Sequence, residues 1–165
     1  DVERSRGLGD VYKRQLHTND APSAITRLID MGIEPFLISS SVLAILAQRL
    51  VRVLCNECKE PDNPSPELIR SLGGERWMEG AKFYRAVGCP KCLNTGYVGR
   101  TGIYELLLVD DDIRQMINRR ADSNEIKQVA RKKGMLTLRE DALRKASLGI
   151  TSLSEVMRVT QEDIV

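Results

Sequence analysis

The chain has 165 residues, 42% of them hydrophobic and 4% aromatic, and its 25 basic and 23 acidic side chains nearly cancel. That length holds one domain or two small ones around a real core, so the composition excludes a disordered chain. It also lacks the basic, ring-studded face of a nucleic-acid binder, so no nucleic-acid partner is expected.

The first fifteen residues, DVERSRGLGDVYKRQ, carry seven charges and no periodicity. They read as a disordered or foreign leader (1–15). No basic, apolar and small-residue signal opens the chain, which points to the cytoplasm and against stable disulfides. Asp20 is a helix cap, followed by Pro22, an apolar face of Ile25, Leu28 and Ile29, and Gly32 as a stop. A second helix is expected through PFLISSSVLAILAQ, apolar on most sides and buried, and too short for the roughly 20 apolar residues of a membrane span. RLVRVLC alternates like a strand and leads into the first cysteines.

Beyond them, three prolines and Ser65 predict a loop and one short helix, with too little apolar surface to fold by burial alone. TGIYELLLV resumes a strand, so a sheet brackets the cysteine region. Arg100 on this return segment is expected to pair with Glu105 as a structural anchor. The tail predicts four short helices packed as a small bundle. Asp110 to Asp112 open the first, and capping-box spacings at Asp122/Glu125, Thr137/Glu140 and Ser152/Glu155 open the others.

Cys55 and Cys58 form one C-x-x-C, and Cys89 and Cys92 form another. Two such turns supply the four thiolates of a closed, tetrahedral, structural zinc site. Disulfides, a redox pair and unliganded thiols are the alternatives. Structural zinc adds about 10–16 kcal/mol of apparent binding energy to folding, which suits a region with little core of its own. GCPKCLNTG also resembles the turns of zinc ribbons and of co-chaperone zinc modules, so zinc selects a scaffold rather than a function.

Several stretches line up in order: LHTNDAPSAITRLIDMGIEPFLISSS, LAQRLVRVLCNECKE, GCPKCLNTGYVGRTGIYELL and GMLTLREDALRKASLGITSLSEVMRVT. Together they resemble the C-terminal part of the secretion and pilus assembly ATPases, the family that powers type II secretion and type IV pilus extension. The resemblance implies an α+β chain. It would comprise the end of a RecA-like P-loop NTPase domain (16–54), a tetracysteine zinc module (55–95), a return strand (96–109) and a C-terminal helical subdomain (110–165). It implies a homohexamer with ATP and magnesium in the full-length parent. That parent would be cytoplasmic, held at the inner face of the plasma membrane by inner-membrane platform proteins.

The family's phosphate-binding and magnesium-binding motifs lie upstream of this region, and no G-x-x-x-x-G-K-[ST] occurs here. The chain alone is therefore expected to be inactive. His17 matches the end of the family's histidine box, where it would approach the γ-phosphate and help couple hydrolysis to subunit movement. Arg27 and Arg49 fall on family-like segments near the nucleotide domain, as phosphate-sensing candidates or ordinary surface charges and carboxylate partners. Polar DVYKRQ stands where the family runs a core strand, which suggests a truncated or misassembled frame joined near Leu16. Truncation would leave apolar surface around 36–46 and an unstable fragment. The rival readings are a stand-alone zinc adaptor for protein partners and a zinc-ribbon module that binds nucleic acid.

Overall fold

The computed structural model describes residues 19–161. The leader and His17 lie outside them. Helix α1 (Ala21–Asp30) starts as its sequence dictates: the Asp20 carboxylate accepts the Ser23 amide at 2.9 Å, and Pro22 occupies the first turn. Its buried side presents Ala21, Ala24 and Ile25.

Helix α2 (Pro35–Ser41) is half the expected length. Leu43–Gln48 is not helical, because strand β1 (Ala44–Leu54) begins there and pairs antiparallel with β4 (Tyr97–Leu108). Five of those backbone positions would lose ladder partners if the helix continued, so tertiary pairing overrides the helix preference of Leu and Ala. Nor is α2 buried on most sides. Phe36 and Leu37 face solvent, whereas Ile38 and Ser39 are seated on the following α-helical tail, where Ser39 Oγ lies 2.9 Å from Asn118 Oδ1.

Between β1 and β4 the chain forms β2 (Glu60–Pro61), α3 (Pro66–Ser71) and β3 (Tyr84–Arg85), with β2 and β3 as a separate two-stranded sheet. Ser65 caps α3 as expected. The tail comprises α4 (Asp111–Asn118), α5 (Ser123–Lys132), α6 (Leu138–Ser147) and α7 (Leu153–Val159). Of these four helices, only α6 starts with a complete reciprocal capping box, between Thr137 and Glu140. Asp122 and Ser152 cap in one direction, because Glu125 turns to Arg119 and Glu155 to two arginines.

The four tail helices do not form one bundle. They divide between two cores on the inner face of the β1/β4 ribbon, which is what orders them. One core joins Ile25, Ile38 and Leu107 to Ile113 and Ile117 of α4 and Ile126 of α5. The other joins Val51 and Ile103 to Leu138 and Leu143 of α6 and Val156 of α7, and also takes Ile69, Leu72 and Phe83 from the segment between the cysteine pairs. That segment is thus anchored by burial as well as by its cysteines, contrary to the expectation from its composition.

Glu105 sits between the two cores, 1% exposed. Its carboxylate accepts the Ala21 amide at 2.8 Å and the Leu138 amide at 3.3 Å, so one side chain serves the first turns of α1 and α6. Arg100 is not its partner. Five positions apart on one strand places the two side chains on opposite faces, Glu105 inward and Arg100 outward. Burial pushes the Glu105 carboxyl above its ordinary value despite those amides. Among the described residues no helix is long and apolar enough to cross a membrane.

Candidate metal centre

The two cysteine pairs are brought together by the ribbon. β1 ends at Leu54 and delivers Cys55, and β4 begins five residues after Cys92. In the first turn the Lys59 amide donates to Cys55 O at 3.0 Å. In the second, Pro90–Cys92 forms a 3-10 turn and the Asn94 amide returns to Cys89 O at 2.9 Å.

The four sulfurs all lie within 4.8 Å of one another. Cys55 to Cys89 and Cys58 to Cys92 are each 3.9 Å, and Cys89 to Cys92 is 3.7 Å. A tetrahedron with metal–sulfur bonds of about 2.3 Å has edges of about 3.8 Å. The same separations are nearly twice a disulfide bond of about 2.05 Å, and all four cysteines are free. The group can therefore hold a metal ion, and its donors, spacing and closed shell fit zinc.

Backbone amides tune the set. Cys92 Sγ accepts from the amides of Cys89 and Gly96, both at 3.2 Å. Burial alone would raise its pKa, but these amides outweigh burial and hold the Cys92 thiol down at about 6. Cys58 moves the other way, to about 12, because burial and the neighbouring sulfurs disfavour further negative charge against one amide from Gly88. Four sulfurs this close cannot all ionise without a cation among them.

Gly96 couples the two turns: its amide reaches Cys92 Sγ while its carbonyl accepts the Cys55 amide at 2.9 Å. It has φ +76°, and an added Cβ would fall 2.6 Å from Ala86 Cβ and 3.0 Å from Val87 N. Gly96→Ala is therefore expected to weaken zinc retention about tenfold, as loss of an outer-shell partner does. Competition against a chromophoric chelator measures it, and unchanged retention would show that the amide of Gly96 does not tune the site.

The arginine candidates lie elsewhere. Arg27 is exposed on α1. Arg49, on the inner face of β1, donates from Nη1 to Val159 O at 2.6 Å and from Nη2 to Asn19 O at 3.2 Å, bridging the start of α1 to the end of α7. Neither is near the sulfurs. Glu155 was missed as a long-range centre: it is 0% exposed and accepts the Arg52 amide at 3.0 Å and side-chain donors of Arg52 and Arg158 at 2.7 to 3.0 Å. Its local spacing from Ser152 signalled only a cap.

A four-cysteine insertion in an antiparallel ribbon, backed by helices, defines a mixed α/β class. The profile of the family described as "Type II/IV secretion system protein" matches residues 10–158, and the chain belongs to that family. It is 53% identical over 155 residues to the type IV pilus assembly ATPase PilB of Thermus thermophilus, covering 93% of this chain and 17% of that protein. It is likewise 53% identical to the type II secretion system ATPase E of Vibrio cholerae, covering 93% of this chain and 30% of that protein. The type II secretion system protein HxcR of Pseudomonas aeruginosa is 46% identical over 93% of this chain and 29% of its own length. The chain thus spans less than a third of these relatives.

Proposed function

We propose that this chain acts as the C-terminal part of a hexameric ATPase that drives type II secretion or type IV pilus assembly. The observation that carries this reading is the family match over 10–158 together with a four-sulfur cluster set between β1 and β4. In this reading 16–54 closes a RecA-like nucleotide-binding domain, 55–95 is the zinc module, 96–109 is the return strand and 110–165 is the helical subdomain.

Zinc, held by Cys55, Cys58, Cys89 and Cys92, supplies folding energy and no chemistry, since four protein ligands leave no open position. ATP and magnesium belong to the full-length protein, where ATP hydrolysis would supply the energy and magnesium would offset the charge of the phosphates. His17 would meet the γ-phosphate. Arg27 and Arg49 are the phosphate-sensing candidates, and the bridge made by Arg49 supports a role in fixing the α1 start against the tail. The assembled motor would sit on inner-membrane platform proteins at the cytoplasmic face.

A chimera tests this: the chain replaces the matching segment of the Thermus PilB relative. ATP hydrolysis within about tenfold of the parent is expected, and His17→Ala in the chimera should reduce kcat at least tenfold with little change in nucleotide affinity. The 165-residue chain alone should not hydrolyse ATP. A folded, hexameric chimera without activity would overturn the reading.

A further inference from the structure

The inner face of the β1/β4 ribbon is covered by helices, whereas the outer face is largely open and is bordered near Leu106 and Leu108 by Met135 and Leu136. Directly opposed pairs along that face are Leu46 with Leu106, Gln48 with Tyr104, Leu50 with Gly102, and Arg52 with Arg100. Leu46, Leu50 and Leu106 are 57%, 50% and 48% exposed. Two arginines directly opposed across strands repel each other, an arrangement that costs stability unless an anion joins them.

A third arginine converges there. Leu50, Arg52, Arg100 and Arg158 line one open basin of about 410 Å³. Arg52 and Arg158 are both fixed by Glu155 through their Nε and Nη2 atoms, and the Arg52 guanidinium lies 4.0 Å over the Tyr97 ring. One carboxylate serves two guanidiniums, and Arg100 pairs with no carboxylate among the described residues. The basin therefore carries surplus positive charge on pre-oriented forks, the geometry that receives carboxylates or phosphates.

We propose that this outer face docks a protein segment whose apolar side chains run up to a cluster of carboxylates. Charge complementarity sets the acidic end in the three-arginine basin, and a strip of Leu50, Tyr104, Leu46 and Leu106 continues from it along the ribbon, with Gln48 beside Tyr104 as its one polar position. From the Arg52 row to the Leu46 row is about 20 Å at about 3.3 Å per residue, the reach of a short strand or a few helical turns. A free phosphate would fill the basin and leave the leucines wet. A protein segment satisfies both ends.

The test uses the full 165-residue chain loaded with zinc. The probes are fluorescent peptides of about twelve residues with three glutamates at one end and leucines at either alternating or helical spacing. Binding by anisotropy should fall steeply with salt, weaken about tenfold in Arg100→Glu, and weaken severalfold in Leu50→Ser. Arg100→Glu should gain affinity for the peptide carrying lysines in place of glutamates. Its unfolding midpoint should hold or rise, because Arg100 anchors nothing and its repulsion with Arg52 is removed. The proposal is overturned by absence of binding, by binding indifferent to Leu50→Ser, or by inorganic phosphate, anionic vesicles or an oligonucleotide binding as well as the peptides. Self-association lost in Arg100→Glu would assign the face to a second copy and overturn it equally.

Discussion

A strong chelator is expected to strip one zinc per chain and unfold the knuckles around Cys55–Cys58 and Cys89–Gly96, the largest single loss of stability available to this protein. Apparent binding energies of structural zinc are about 10–16 kcal/mol, comparable to the whole stability of a typical domain of about 5–15 kcal/mol. The loss should nevertheless be regional at first. Ile69, Leu72 and Phe83 are bound into the core with α6 and α7, whereas the core of α1, α4 and α5 contains nothing from the insertion. Circular dichroism should therefore show partial loss of ellipticity on chelation, with hydrogen exchange accelerating first between residues 55 and 96. Cys92→Ser should reproduce this without chelator. A folded chain that contains no zinc, or that keeps its spectrum when zinc is removed, would show that the four thiols are inert.

The second large effect centres on Glu155. Burial would raise its pKa, but hydrogen bonds from Arg158 and Arg52 dominate and hold it at about 2. Glu155→Ala removes the carboxylate that fixes both arginines and leaves the Arg52 amide without its partner, at a cost of about 3 kcal/mol at neutral pH. The half-exposed arginines can rehydrate, which keeps the cost at the low end of the range for buried pairs. Because the folded pKa lies below the unfolded one, the stabilisation is complete above about pH 4.5 and fades as pH falls toward 2. Urea midpoints of wild type and Glu155→Gln should thus converge between pH 4.5 and 2. A gap that stays constant with pH would mean that packing rather than charge holds this residue.

Local signals were legible wherever one element decides its own geometry. Asp20 with Pro22, Ser65, and Thr137 with Glu140 all cap the helices their spacing implied. The four sulfurs converge because two C-x-x-C turns at the ends of paired strands leave them nowhere else to go. What stayed hidden was set by distant partners. Leu43–Gln48 reads equally as helix or strand until Leu108–Tyr104 is laid beside it. Glu155 looks like the far end of a capping box until Arg52, 103 residues away, takes its carboxylate. Glu105 and Arg100, opposite charges on one strand, read as a pair until strand parity sets their side chains on opposite faces.

The contacts between the cysteine insertion and the end of α6 bear on modularity. The Lys82 amide donates to Ser147 O at 2.9 Å, and Lys59 Nζ donates to Gly149 O at 3.0 Å. Those carbonyls lie at and just beyond the helix terminus, where the backbone otherwise lacks partners. The insertion therefore serves as an external cap for a helix encoded some sixty residues later. Trimming 59–88 to a plain hairpin would unravel the tail at α6, and transplanting the module into another ribbon would require a helix end waiting to receive it.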